Sequence, residues 1–290
     1  MQQPVTIEWA MTRAVELAAR GLGRTAPNPV VGCVVLDVDG VVVGEGWHSR
    51  AGGPHAEVEA LAAAGDAARG GTAVVTLEPC RHTGRTGACT SALLAAGVAR
   101  VVVAVPDPTE TAGGGADLLR RNGVEVVEGV GREAAEHGNR AWLHAVRTGR
   151  PWVTWKLATT LDGRTSAADG TSRWITGATA REAVHRLRAE RDAVLVGAGT
   201  LRADDPHLAV RGLDDVTQPL RVVLAPRELP IGVITATSGS ATPVASQVPP
   251  RPVSTTATST GAEAKAWKAM AVRYSKKVSG GPPAAADSSS

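Results

Sequence analysis

Phenylalanine is missing from this 290-residue sequence, and tyrosine occurs once. A hydrophobic core must then rest on Val, Leu and Ala, and the aromatic platforms that stack single-stranded nucleic acid lack their material. Cysteine is scarce as well. Three residues, an odd number, support no disulfide framework and predict a reducing, cytoplasmic setting. No apolar run approaches the roughly 18 residues of a membrane-crossing helix. The opening Met1-Gln2-Gln3-Pro4 has neither the charged nor the apolar region of a secretory signal. An excess of one charge sign is also absent where it would matter. The net charge of +3 comes from 31 Lys+Arg against 28 Asp+Glu, yet six of the bases and only two of the acids lie beyond Leu229. Residues 1–229 thus hold 25 bases and 26 acids, with no polybasic groove for nucleic acid. At 43% hydrophobic and 20% charged, the composition is globular, and the length suffices for two domains.

Periodicity organises what is present. Residues 6–20 put Trp9, Met11, Ala14, Leu17 and Ala18 on one helical face, and Gly21 is the stop. Apolar runs 30–36 and 41–43, joined by Asp39-Gly40, predict a hairpin. Helices are expected over 55–68, 89–96 and 116–121, and strands over 72–77, 101–105 and 124–127. This alternation predicts an α/β layered sheet with an antiparallel hairpin. A helix over 132–147 ends at Thr148-Gly149-Arg150-Pro151, a domain joint. A second α/β pattern follows, with strand 152–158, helix 178–191 and strands 193–196 and 221–224. Beyond Leu229 leucine disappears, Ser, Thr, Ala and Pro dominate, and four of the five lysines fall within 265–277. Apart from a short helical pattern at 262–274, periodicity fails, so residues 230–290 are expected to be disordered and of different origin. The expected units are 1–149, 150–229 and a tail of 230–290.

The chemistry concentrates in His55-Ala56-Glu57, in Pro79-Cys80 and in Cys89. One imidazole and two thiolates can hold zinc with its fourth tetrahedral position open to water. His55 opens a predicted helix, and Cys80 lies between a strand and the next helix, whose N-terminus favours a thiolate. Glu57, two residues after His55, is placed to face that water and carry its proton to a leaving amine. H-x-E with P-C is the signature of zinc deaminases. The cysteine spacing is unusual, C-x8-C in place of C-x2-C. The insert 81–88 is short, Gly-containing and basic, suited to an anionic substituent through His82 and Arg85. Read blandly, Arg81, His82 and Arg85 are solvated loop residues. Cys33, inside run 30–36, reads as a core cysteine.

With these residues in place, the sequence resembles the deaminase half of bacterial bifunctional riboflavin-biosynthesis proteins. These join a diaminohydroxyphosphoribosylaminopyrimidine deaminase to a 5-amino-6-(5-phosphoribosylamino)uracil reductase. The resemblance rests on Ala26-Pro27-Asn28-Pro29-Val30-Val31-Gly32, Gly44-Glu45-Gly46-Trp47-His48, Gly53-Pro54-His55-Ala56-Glu57 and the whole of residues 78–89. Gly87-Ala88 stands where the family has Pro-Pro. It implies a cytidine-deaminase-like layered sheet, zinc on His55, Cys80 and Cys89, and Glu57 as the catalytic carboxyl. It further implies Asn28 and His48 at the pyrimidine or ribose, with His82 and Arg85 on the phosphoribosyl side. A turn-forming Asn and a surface His are the plain alternatives.

The second half resembles the family's reductase domain, which is dihydrofolate-reductase-like in fold and uses NADPH. The segments are residues 156–164, Ser172-Arg173-Trp174-Ile175-Thr176 and residues 197–206. Ala158, Trp174, Thr200 and Asp204 would lie on the nucleotide, and Ser172, Arg188, Leu208 and Arg211 on the sugar-phosphate substrate. Taken alone, Gly197-x-Gly199 is a weak phosphate-loop hint, and the arginines of 181–191 read as a solvated face. The resemblance stops near Leu224, so the reductase unit is expected to be partial and impaired. The implied activity is zinc-dependent deamination of 2,5-diamino-6-(5-phosphoribosylamino)pyrimidin-4(3H)-one, a small-molecule reaction with no nucleic-acid or membrane partner. Alternatives are another zinc deaminase, acting on cytosine, guanine or tRNA adenosine, and a non-catalytic zinc-stabilised scaffold. The sequence leaves a homo-oligomer open.

Overall fold

The computed structural model describes residues 3–82, 87–172 and 174–224. Helix α1 (Ile7–Ala19) is capped by Thr6, whose side chain accepts from the Trp9 N–H, and it buries Ala10, Met11, Ala14, Leu17 and Ala18. Trp9 does not belong to that stripe: it is 48% exposed, because at ~100° per residue it stands about 200° from Met11.

Five strands follow: β1 (Gly32–Leu36), β2 (Val42–Trp47), β3 (Thr72–Leu77), β4 (Arg100–Val105) and β5 (Glu125–Glu128), in the order β2-β1-β3-β4-β5. β1 is antiparallel to β2 and β3, while β3, β4 and β5 run parallel. The hairpin turn is fixed by the Asp37 carboxylate, which accepts from the N–H groups of Asp39 and Val41 at 2.9 Å. The parallel strands need crossovers, supplied by α3 (Cys89–Ala96) and α4 (Gly115–Arg121). The helix expected over 55–68 is α2 (Ala56–Ala64) finished by a 3-10 turn, Gly65–Ala68.

Strand alternation divides the core into two layers. Cys33, Val35, Ala73, Val75, Val101 and Val103 meet Ala56, Ala60, Leu93 and Leu119 of α2, α3 and α4. Val34, Val74, Val102 and Ala104 meet Met11, Ala14 and Leu17 of α1 on the other face. Burial of both faces explains the near-continuous Val runs. Without Phe, close approach replaces bulk. A Cβ on Gly44 would lie 2.1 Å from the Ala60 carbonyl, and one on Gly46 would lie 2.4 Å from that of Ala56, so α2 rests directly on β2. At the far edge, four-residue β5 is flanked by ion pairs, Arg100–Glu125 and Arg120–Glu128, each at 2.8 Å.

The single helix expected over 132–147 is in fact two, α5 (Arg132–Gly138) and α6 (Arg140–Thr148). Helical bonds continue on both sides of the break, Asn139 N–H to Ala135 and Leu143 N–H to Asn139. Asn139 itself, at φ −97° and ψ 10°, departs from helical geometry, and its side chain bonds the backbone of Val30.

The second half contains α7 (Ala178–Ala189), β6 (Ala193–Gly197), α8 (Ala198–Asp204) and β7 (Leu220–Leu224), with β6 and β7 parallel. The strand expected over 152–158 is not formed. These residues join neither sheet, and Trp155 is 82% exposed. An apolar run becomes a strand only where a neighbouring edge accepts its hydrogen bonds, and among the described residues none does so here. Gly197-x-Gly199 opens α8, a helix that periodicity did not predict. Arg24, after α1, donates to the Asp215 carboxylate at 2.8 Å and to its carbonyl, linking the halves. Among the described residues no helix is long and apolar enough to cross a membrane. The expected tail, 230–290, lies outside the described residues.

Candidate active site

The site forms at the carboxyl ends of the parallel strands, where open α/β sheets bind ligands. β3 ends at Leu77 and runs through Glu78-Pro79 to Cys80, while Cys89 is the first residue of α3 and His55 is the N-cap of α2. Their three ligand atoms lie within 4.8 Å of one another. His55 Nδ1 is 3.1 Å from Cys89 Sγ and 3.6 Å from Cys80 Sγ. The Cys89 backbone N–H donates to Cys80 Sγ at 3.4 Å, and both the N–H and the hydroxyl of Thr90 donate to the Cys80 carbonyl. Gly115 completes the seat. A Cβ there would stand 1.8 Å from the Pro79 carbonyl, so α4 packs against the turn that carries Cys80.

Electrostatics separate the two thiols. The Cys89 side chain, followed by His55 and the Cys89 N–H, holds the Cys80 pKa well below the ordinary thiol value, against the opposing effect of burial. Cys89 is pushed up, first by Cys80 and then by burial. His55 is raised chiefly by its bond to Cys80. Two sulfurs and an imidazole converging at this spacing fit zinc, which accepts both sulfurs as thiolates. Glu57 stands beside the cluster and outside its ligand set. It is 3% exposed, and its pKa is pushed up to about 6 mainly by burial. Cys33 is fully buried, and burial together with Glu57 pushes its thiol well up, as befits a core cysteine.

Asn28 and His48 meet, with Asn28 Nδ2 3.2 Å from His48 Nε2. His48 Nδ1 is 2.9 Å from the Pro54 carbonyl, which can only accept. The proton therefore sits on Nδ1, and Nε2 accepts from Asn28. Burial lowers the His48 pKa, as does charge on His55, against the Pro54 bond, so the ring is neutral. It stands edge-on to His55, with centroids 5.5 Å apart. The buried Nδ1 of His82 has no hydrogen-bond partner among the described residues. Arg85 lies outside the described residues.

Sequence reasoning overlooked Glu78 and His185. The buried carboxyl of Glu78 accepts from the N–H groups of Asp107 and Ala116, both at 2.9 Å. In the second half, Arg188 donates to the Ala209 carbonyl at 3.4 Å, and the Arg211 N–H donates to His185 Nδ1 at 3.1 Å. Leu208, Arg188, Arg211 and His185 thereby gather round the 208–211 segment, and burial followed by Arg211 lowers the Arg188 pKa. Ser172 has no hydrogen bond to this group. Ala158, Trp174, Thr200 and Asp204 are joined by no hydrogen bond or ring contact among the described residues. Trp174 carries the Arg181 guanidinium 4.3 Å above its ring, and Thr200 and Asp204 lie one turn apart on α8.

Fold and cluster together define an α/β domain of the zinc-deaminase class, followed by a second α/β unit. Residues 4–105 match the family model of the cytidine and deoxycytidylate deaminase zinc-binding region, and residues 151–267 match that of the RibD C-terminal domain. The second match passes Leu224, so the likeness extends further than the motifs alone placed it. The riboflavin biosynthesis protein RibD of Mycobacterium tuberculosis is 49% identical over 234 residues, 79% of this chain and 69% of that protein. Acinetobacter baumannii RibD superposes with a TM-score of 0.73 at 48% identity, over 78% of this chain and 65% of that one. A Thermotoga maritima diaminohydroxyphosphoribosylaminopyrimidine deaminase/5-amino-6-(5-phosphoribosylamino)uracil reductase gives 0.71 at 43% identity, over 75% and 62%. The chain belongs to the RibD family of riboflavin biosynthesis proteins, and it spans about two thirds of the length of these relatives.

Proposed function

We propose that this chain hydrolytically removes the 2-amino group of 2,5-diamino-6-(5-phosphoribosylamino)pyrimidin-4(3H)-one. The observation that carries the reading is the buried Glu57 carboxyl, beside the His55–Cys80–Cys89 cluster and not among its ligands. A purely structural metal site has no use for it. Zinc held by those three residues supplies Lewis acidity and a water acidified to a pKa of about 7. Glu57, with its pKa near 6, is matched to take a proton from the attacking water and return it to the departing amine, so that ammonia leaves neutral. Asn28 and the neutral His48 orient the pyrimidine or ribose, and His82 and Arg85 serve the phosphoribosyl side. The family likeness supports this substrate over cytosine, guanine or a tRNA adenosine. On this reading the reaction is a cytoplasmic one on a small molecule, with no nucleic-acid or membrane partner.

The test is zinc content and ammonia release for the wild type and Glu57→Gln. The variant is expected to keep its zinc and lose activity about 10²–10⁴-fold. Full activity in a zinc-loaded Glu57→Gln protein overturns the mechanism. Ammonia release from one of the other bases, and not from this substrate, favours another deaminase.

For the second half the reading is an incomplete reductase, with Ala158, Trp174, Thr200 and Asp204 toward NADPH and Ser172, Arg188, Leu208 and Arg211, joined by His185, toward the sugar phosphate. Two close arginines suit a phosphate. Among the described residues this unit's sheet has two strands, β6 and β7, few for a fold that must enclose a dinucleotide. The purified chain is expected to oxidise NADPH negligibly when given the deaminated substrate, and robust turnover would refute the impairment.

A further inference from the structure

We propose that Asn139 is a positioning residue for the substrate-facing segment 26–31, acting on Asn28 through the backbone of Val30. This rests on the deaminase reading of the site. Asn139 is 5% exposed and stands at the break between α5 and α6, on the side of the sheet opposite the helices that carry the cluster. Its Oδ1 accepts from the Val30 N–H at 2.9 Å, and its Nδ2 donates to the Val30 carbonyl at 2.7 Å. This pair of bonds is what a neighbouring antiparallel strand would give one residue, supplied here by a single side-chain amide.

The segment so held leads into β1. Thr25 accepts from the Asn28 N–H at 2.8 Å to form the turn, and Val31 accepts from the His48 N–H at 2.9 Å. Between these two fixed points the Asn28 amide reaches His48 Nε2 at 3.2 Å. Val30 is buried, so without Asn139 its N–H and carbonyl lose their partners in a place that water does not reach. They recover partners only if the segment shifts, and Asn28 is two residues away. His55, Cys80 and Cys89 are held by α2, β3 and α3 and make no hydrogen bond to Asn139. The break in the helix follows from the same demand, because Asn139 has left helical geometry where its amide meets Val30.

The effect belongs to substrate binding. Asn139→Ala is expected to raise the deaminase KM about tenfold, the scale of one or two lost hydrogen bonds. Its kcat should stay within about threefold of wild type and its zinc content unchanged. A double-mutant cycle identifies the route: if Asn139 works through Asn28, the Asn28→Ala/Asn139→Ala protein has the KM of Asn28→Ala alone. A merely structural role gives additive effects or lower zinc content. If the alanine variant does not fold, Asn139→Asp serves, since its carboxylate keeps the acceptor toward the Val30 N–H and loses the donor toward the carbonyl. Amide exchange read by mass spectrometry needs no substrate. Faster exchange over residues 26–31, with β3 unchanged, is expected for either variant. An unchanged KM, additivity in the cycle, or unaltered exchange over 26–31 overturns the inference. A zinc-loaded wild type that releases no ammonia overturns the deaminase reading, and the exchange result still decides the role of Asn139 in holding the segment.

Discussion

Glu78 shows how one side chain can fix a metal ligand without touching the metal position. Its two carboxyl oxygens each accept a backbone N–H, one from Asp107 after β4 and one from Ala116 in the first turn of α4. The loop, the helix and the turn at Pro79 are thereby tied together two residues before Cys80. Glu78→Gln places an amide NH2 opposite one of those N–H groups and leaves a buried donor unpaired, at a cost of about 1–3 kcal/mol. The expected outcome is a lower melting temperature and faster zinc loss in chelator competition, whereas a variant equal to wild type in both would show the clamp to be idle. Legibility at this scale divides along the same line. His55, Glu57, Cys80 and Cys89 could be read because their spacing and their places at helix starts and a strand end carry the chemistry. Glu78 and Asn139 could not, since their partners are backbone groups 29, 38 and 109 residues away, and a backbone N–H has no letter of its own. His185 was absorbed into an arginine-rich helix for the same reason.

Among elements, the contact of α1 with β2 makes a prediction about pH. Arg13 on α1 grips Glu45 on β2 by two 2.8 Å bonds, Nε to Oε1 and Nη2 to Oε2. On either side of Glu45, Gly44 and Gly46 turn to α2 on the other face. The Arg13 bond holds the Glu45 pKa below the ordinary carboxylate value, burial opposing it. A carboxylate depressed in the folded state contributes stability above its unfolded pKa and gives it up as pH falls through the folded one. Glu45→Gln is therefore expected to lose ~0.5–1 kcal/mol near pH 7. Its gap to the wild type should close as pH falls below about 4.3, as urea melts at the two pH values would show. A constant gap would count against the ion pair. The strands and helices of the first sheet were legible because alternation and Val content change together at Gly and Asp-Gly punctuation. The unformed strand over 152–158 was misread because apolar character says nothing about whether an edge lies alongside. The single helix over 132–147 was misread because helical bonding does continue across Asn139, and only its remote partner bends the path.

Burial is lopsided among the described residues. The first half encloses two layers of buried Val, Leu and Ala around one sheet. In the second half, 12-residue α7 buries no residue fully, and Trp152, Val153, Trp155 and Trp174 are all exposed. A chain built this way must keep its sheets from recruiting other chains, and its first sheet has the means at β5. An intruding strand there would have to strip water from Arg100, Glu125, Arg120 and Glu128 together, and the strand offers only four residues in return. Replacing all four with threonine is expected to leave the fold intact and give concentration-dependent association in sedimentation velocity. A variant that stays monodisperse would locate the protection elsewhere. On the first outcome, the ion pairs flanking β5 act less as stabilisers of one chain than as a boundary between chains.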